Sequence, residues 1–166
     1  MTKQPLHALF TGSFDPVTLG HEDIIRRIAA LFDKVTVAVF INKDKAGMFS
    51  FAERERLLTK VCAPYPNVRV THDDGMVADF VRREGIDLIV RSVRNEKDFA
   101  YEREMAAFNN AHSGRDTLLL FADESLASLS STEVRQKLAS GEDVRKLLPA
   151  SIWEDMLNLQ KMTNND

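Results

Sequence analysis

LHALFTGSFDPVTLGHEDIIRRIAALFDKVTVAVFI, residues 6–41, is the stretch on which the fold turns. Leu6 to Phe10 is a short apolar run closed by Thr11 and Gly12, as a buried strand would be. From Glu22 to Phe32 the apolar residues Ile24, Ile25, Ile28 and Leu31 recur at helical spacing and form one stripe. Val35 to Ile41 is β-branched and nearly continuous, the composition of a strand covered on both faces. A buried strand, a loop, an amphipathic helix and a second buried strand describe a parallel crossover.

The same alternation continues outward. Ser50 and Glu53 have capping-box spacing ahead of a helix to about Cys62. Val68 to Val70 is a weaker strand, and Val77 to Glu84 reads as a helix stopped by Gly85. Asp87 to Val93 is a strand, Asp98 to His112 a helix and Thr117 to Phe121 a strand. Ser130 and Glu133 again have capping-box spacing before a helix that ends near Ser140, with Gly141 as its stop. Pro149 opens a last helix through Leu159. The expectation is a single α/β domain over residues 1–166, doubly wound and Rossmann-like, with residues 162–166 as a frayed tail. Its five strands form a parallel sheet with helices on both faces.

Composition narrows the function classes. A net charge of −3 argues against a general nucleic-acid binder. No uninterrupted apolar stretch approaches the roughly 20 residues of a membrane span, and MTKQPLHALF shows no secretory pattern. The single cysteine, Cys62, suits a reducing compartment, so a cytoplasmic location is expected. Any bound anion must be held by a local cluster. In doubly wound sheets that cluster belongs outside the carboxyl ends of the strands, where strand order reverses.

The segments after the strands carry the unusual residues. Thr11-Gly12-Ser13-Phe14-Asp15-Pro16-Val17-Thr18-Leu19-Gly20-His21 leads directly into a helix. Its glycines permit close backbone approach, and a helix start offers free N–H groups to an anion. Arg91-Ser92-Val93-Arg94-Asn95-Glu96-Lys97-Asp98-Phe99-Ala100-Tyr101-Glu102 puts two guanidinium forks at the exit of a core strand, a geometry suited to phosphate. Ser128-Leu129-Ser130-Ser131-Thr132 places hydroxyls and free N–H groups at another helix start, although Ser130 equally suits a plain N-cap.

Together these segments resemble the T/H-x-G-H nucleotidylyltransferase superfamily. Within it, the R-S-V-R-N-E-K-D-F-A-Y-E stretch resembles the phosphopantetheine adenylyltransferases. The resemblance runs from about Phe10 to Pro149. It implies transfer of AMP from ATP to 4′-phosphopantetheine by direct in-line attack, giving dephospho-coenzyme A and pyrophosphate. It implies catalytic roles for His21, Lys45 and Arg91. ATP would meet Ser13, Phe14, Thr18, Gly20 and His21 in the first segment, and Ser92, Val93, Arg94 and Glu102 in the second. In the third it would meet Leu126, Ala127, Ser128, Leu129, Ser130, Ser131 and Thr132. The acceptor would meet Ser13, Lys45 and Arg91, with Met76 or Val77 along its arm. Ser13 stands where that branch usually has Thr. Ser92 stands where it has Gly, and its side chain would crowd a nucleotide if its φ were positive.

The chemistry asks for charge relief between two polyanions and for placement, not for a strong general base. Mg²⁺ carried with ATP is expected, and no metal ligand is assigned to the protein. The resemblance also implies a homohexamer and feedback binding of coenzyme A. Nicotinate mononucleotide adenylyltransferase is the alternative enzyme, since it shares the Ser130-Ser131-Thr132 element. A catalytically silent regulator that binds nucleotide or coenzyme A is the alternative from another class.

Overall fold

The computed structural model describes residues 4–41 and 46–163. The strands are β1 (His7–Gly12), β2 (Lys34–Phe40), β3 (Val68–Asp73), β4 (Leu88–Val93) and β5 (Asp116–Phe121). Between and after them lie α1 (Leu19–Leu31), α2 (Phe51–Cys62), α3 (Val77–Glu84), α4 (Glu96–Ser113), α5 (Ser131–Ala139) and α6 (Trp153–Thr163). The sheet is parallel throughout, in the order β3-β2-β1-β4-β5. This is the doubly wound architecture expected from the sequence. Strand order reverses between β1 and β4, so the crevice for a ligand lies beyond Gly12 and Val93.

The central strands are buried on both faces. On one face Ala8, Phe10, Val35, Val37, Val39 and Val90 join α1, α2 and the C-terminal segments in the larger core. On the other, Leu9, Ala38 and Ile89 meet Phe80, Val81 and Ile86 in a smaller one. Among the described residues no helix is long and apolar enough to cross a membrane.

Several element ends move from their expected positions for local reasons. The first helix begins at Leu19 rather than Glu22, because extended Thr18 forms its N-cap and draws Gly20 and His21 into the first turn. α4 begins at Glu96 because Asn95 Oδ1 accepts the Asp98 N–H at 2.9 Å. β3 runs on to Asp73, paired with Phe40, because an edge strand needs only backbone partners and shows no apolar run. Pro149 caps a short 3-10 turn, Ala150–Ile152, and α6 proper starts at Trp153. The capping box at Ser50 and Glu53 forms as expected, and Gly85 ends α3 at φ 64°, where a Cβ would be strained.

One buried carboxylate fastens the segments above the sheet. Asp15 is 5% exposed and accepts the backbone N–H groups of Met48 and Phe49, each at 2.9 Å. Arg54 Nε stands 3.3 Å from Asp15 Oδ1 and donates to the Phe49 carbonyl at 2.8 Å, while Nη1 donates to the Ser13 carbonyl at 3.3 Å. Gly47 leaves the space this guanidinium fills: a Cβ there would lie 1.5 Å from Arg54 Nη2 and 3.0 Å from Asp15 Oδ2. Gly47→Ala is therefore expected to evict a buried, paired arginine and to cost about 3 kcal/mol. Urea unfolding of the two proteins measures it; a loss under about 0.5 kcal/mol, the range of ordinary surface substitutions, would refute the lock.

Candidate active site

Two adjoining clefts open at the carboxyl edge of the sheet. The first, of about 280 Å³, lies between the starts of α1 and α5 and the end of β4. Ser13, Thr18, Gly20 and His21 line it from the first segment; Arg91, Ser92, Arg94, Asp98 and Glu102 from the second. Leu126, Leu129, Ser130, Ser131, Thr132 and Arg135 close the third side. The second cleft, of about 210 Å³, lies between the sheet and α4. Phe40, Val77, Ile89, Met105 and Ala106 make much of its wall apolar, and Tyr101, Asn109 and Thr117 add polar groups. Ser13, Arg91 and Glu102 border both clefts.

Arg91 is held at that border from two sides. Its Nε and Nη2 make a fork onto Glu102, at 2.9 and 2.8 Å. Its Nη1 donates to the Thr11 carbonyl and, at 2.8 Å, to Thr11 Oγ1. Of five guanidinium N–H groups, one on Nη2 is left for a ligand. Glu102, expected beside the nucleotide, is 5% exposed, and both its carboxylate oxygens accept from Arg91; it orients the arginine. Arg94 is fastened in the same way, by Asp98 at 2.8 Å and by the Leu129 carbonyl at 3.1 Å.

Three hydroxyls of the third segment are bonded at the helix start. Ser130 Oγ caps α5 by accepting the Glu133 N–H at 3.1 Å. Ser131 Oγ donates to the Pro16 carbonyl at 2.8 Å, and Thr132 Oγ1 accepts from Arg135 at 3.1 Å. Arg135 donates to the Asp15 carbonyl at 2.7 Å. What remains for an anion are the first-turn N–H groups of α1 and α5, which no helical carbonyl can take.

With the clefts laid out, the comparisons with known proteins fall into place. Residues 9–137 match the cytidylyltransferase-like family. A phosphopantetheine adenylyltransferase of Clostridium tetani is 39% identical over 95% of this chain and 98% of its own. One from Clostridium perfringens is 40% identical over 89% of this chain and 91% of its own. This chain belongs to the phosphopantetheine adenylyltransferase family. The fold is also shared at low identity. A Vibrio parahaemolyticus protein proposed to be a nicotinate-nucleotide adenylyltransferase superposes with a TM-score of 0.66 at 18% identity, covering 93% of this chain and 99% of its own. Nicotinic acid mononucleotide adenylyltransferase of Plasmodium falciparum gives 0.68 at 13%, covering 97% of each. Those two likenesses speak for the architecture alone.

Not every residue named from the sequence reaches the clefts. Phe14 and Val93 are 1% and 2% exposed and belong to the core. Ala127 and Ser128 line neither cleft. Val77, not Met76, faces the apolar cleft; Met76 is 46% exposed as the N-cap of α3. Ser92 lies in β4 with an ordinary strand conformation, since Phe14 is the only non-glycine residue of positive φ among those described, so no strain arises there. Lys45 lies outside the described residues. Sequence reasoning missed Thr11, Asp98, Arg135 and the α4 face of Tyr101, Met105, Ala106 and Asn109. That face was marked by spacing alone, because its polar members broke the apolar stripe.

His21 is set by its surroundings as a neutral donor. Its Nδ1 accepts the Thr18 N–H at 3.0 Å, with Thr18 Oγ1 at 3.1 Å, so the ring proton sits on Nε2. Phe14, at φ 44°, packs edge-on against the ring at 4.9 Å. Desolvation, then the charges of Arg91 and Arg94, lower its pKa from 6.5 to about 4. Between those values the unfolded chain binds a proton that the fold refuses, so stability falls as pH drops from about 6.5 to about 4. Ring ¹⁵N spectra should show His21 neutral and protonated at Nε2 at pH 6. His21→Gln should reduce the stability lost between pH 7 and pH 5 in urea titrations; an unchanged loss would remove His21 as its source.

Proposed function

We propose that this chain transfers the AMP of ATP to the phosphate of 4′-phosphopantetheine, forming dephospho-coenzyme A and releasing pyrophosphate. The observation that carries the reading is the pair of clefts that meet at Arg91. One is polar, flanked by two helix starts and three arginines, and suits a nucleoside triphosphate. The other mixes aliphatic with polar side chains, and suits a flexible arm that carries both, with its phosphate reaching back to Arg91. The kinship with phosphopantetheine adenylyltransferases supports the same acceptor.

In this reading a phosphate oxygen of the acceptor attacks the α-phosphorus of ATP, and the bond to the bridging oxygen of pyrophosphate breaks. The attacking group is already an anion, so no side chain need remove a proton. Arg91 and Arg94 offset the repulsion between the two phosphates. His21 Nε2 and the first-turn N–H groups of α1 and α5 donate to oxygens whose charge grows in the transition state. The resemblance assigns Lys45 to the same group of cations. Asp98 and Glu102, the carboxylates lining the nucleotide cleft, are taken by Arg94 and Arg91. Among the described residues no group of three or more His, Cys, Asp or Glu could hold a metal ion. Mg²⁺ carried on the phosphates of ATP would neutralise charge there. A homohexamer in the cytoplasm, feedback-bound by coenzyme A, completes the reading.

Incubation with ATP and a panel of phosphate acceptors, followed by mass analysis, should give dephospho-coenzyme A and negligible product from nicotinate mononucleotide. The reverse preference would overturn the assignment. His21→Ala should lower kcat roughly a hundredfold, about 3 kcal/mol, with the fold retained. Arg91→Ala should reduce kcat/KM for the acceptor by about 2–3 kcal/mol while ATP binding changes far less. Equal losses for both substrates would contradict the place given to Arg91.

A further inference from the structure

The apolar cleft contains a group that the fold leaves unused. Thr117 Oγ1 is the one buried side-chain nitrogen or oxygen, among the described residues, that has no hydrogen-bond partner. Its residue lines the cleft, opposite Ile89 in the β4–β5 ladder and two positions before the pair Arg91 and Leu119. At strand spacing that is roughly 7 Å deeper along the sheet than the Arg91 backbone. Buried hydroxyls are almost always bonded, because an unmade bond in a dry site leaves desolvation uncompensated. A strand position would accept valine as readily on shape and β-propensity, and valine would carry no such cost. A buried hydroxyl that the fold does not use, on a residue of the cleft wall, points to a ligand.

We propose that Thr117 binds the acceptor by donating its hydroxyl proton to a carbonyl of the pantetheine arm, beside the aliphatic side chains of Val77, Ile89, Met105 and Ala106. This rests on the phosphopantetheine reading above. With the acceptor phosphate at Arg91, the arm runs inward past Ile89 and Val77, and its first amide comes within reach of β5. Asn109, 7% exposed on the facing helix, adds an amide to the same channel. A purely alkyl arm would leave Thr117 unpaired and bind more weakly.

Thr117→Val and Thr117→Ser test the assignment. Thr117→Val should raise KM for 4′-phosphopantetheine roughly 3- to 10-fold, the effect of one neutral hydrogen bond. It should leave KM for ATP unchanged, and its Tm should equal or exceed that of the wild type. Thr117→Ser, which keeps the hydroxyl, should stay close to the wild type in KM. An unchanged acceptor KM in Thr117→Val overturns the proposal. A fall in its Tm does so as well, because the hydroxyl would then serve the fold. Wild-type protein that fails to adenylylate 4′-phosphopantetheine overturns the functional reading and this assignment together; active wild type with an indifferent valine variant overturns this one alone.

Discussion

Asp15 buries its carboxylate almost wholly, and the arrangement above the sheet follows from that constraint. An ionised carboxylate out of water must be matched by donors, or the site cannot hold it. The donors come from Met48 and Phe49, from Arg54 on α2, and at longer range from Arg135 on α5. The first three lie within residues 48–54 and the last on α5, so satisfying one residue draws its own segment and two others to one point. Two of them border the nucleotide cleft: Ser13 is held through Arg54, and α5 through Arg135 and Ser131. Gly47 is the empty volume that lets the convergence happen.

The same economy governs the cations. Arg91, Arg94 and Arg135 point into or border a cleft meant for polyanions, yet each is already bonded to protein acceptors. Long side chains held this way lose little further entropy when a ligand arrives, and their charge is fixed before the reaction begins. The arrangement also explains His21. A second layer of positive charge close to the ring would repel a proton, and the Thr18 N–H already occupies Nδ1. The ring can only donate, from Nε2, which is what a phosphate oxygen accepts.

Much of this was legible in the sequence, and the reason differs by level. Strands buried on both faces announce themselves as apolar runs, so Val35 to Phe40 was plain, whereas the edge strand beyond Val70 was not. Caps were readable where they rest on residues close in sequence, as at Ser50 with Glu53 and at Gly85. The motifs placed Ser13, His21, Arg91 and Arg94 correctly at the crevice. They could not reveal that Glu102 serves Arg91, which depends on how α4 folds back over β4, or that Asp15 organises three segments, which depends on partners distant in sequence. Phe14 shows the converse: a motif residue at a strained φ whose ring supports His21 from within the core.

α4 shows why the site needs a helix that sequence periodicity describes poorly. Its buried residues are Glu102 and Asn109, one carboxylate and one amide, instead of an apolar stripe. A helix that only covered the sheet would bury leucines. This one roofs a cleft, so its inner face carries the groups that the cleft requires. Glu102 fixes the cation at the border, and Met105 with Ala106 supplies the aliphatic wall one turn further on. Because one continuous helix, Glu96–Ser113, carries Glu102, Met105 and Ala106, the charge at the border of the clefts and the wall beside it are held in one geometry. The second cleft is thus walled by one helix face and the strands beneath it, and Arg91 stands at its border with the first.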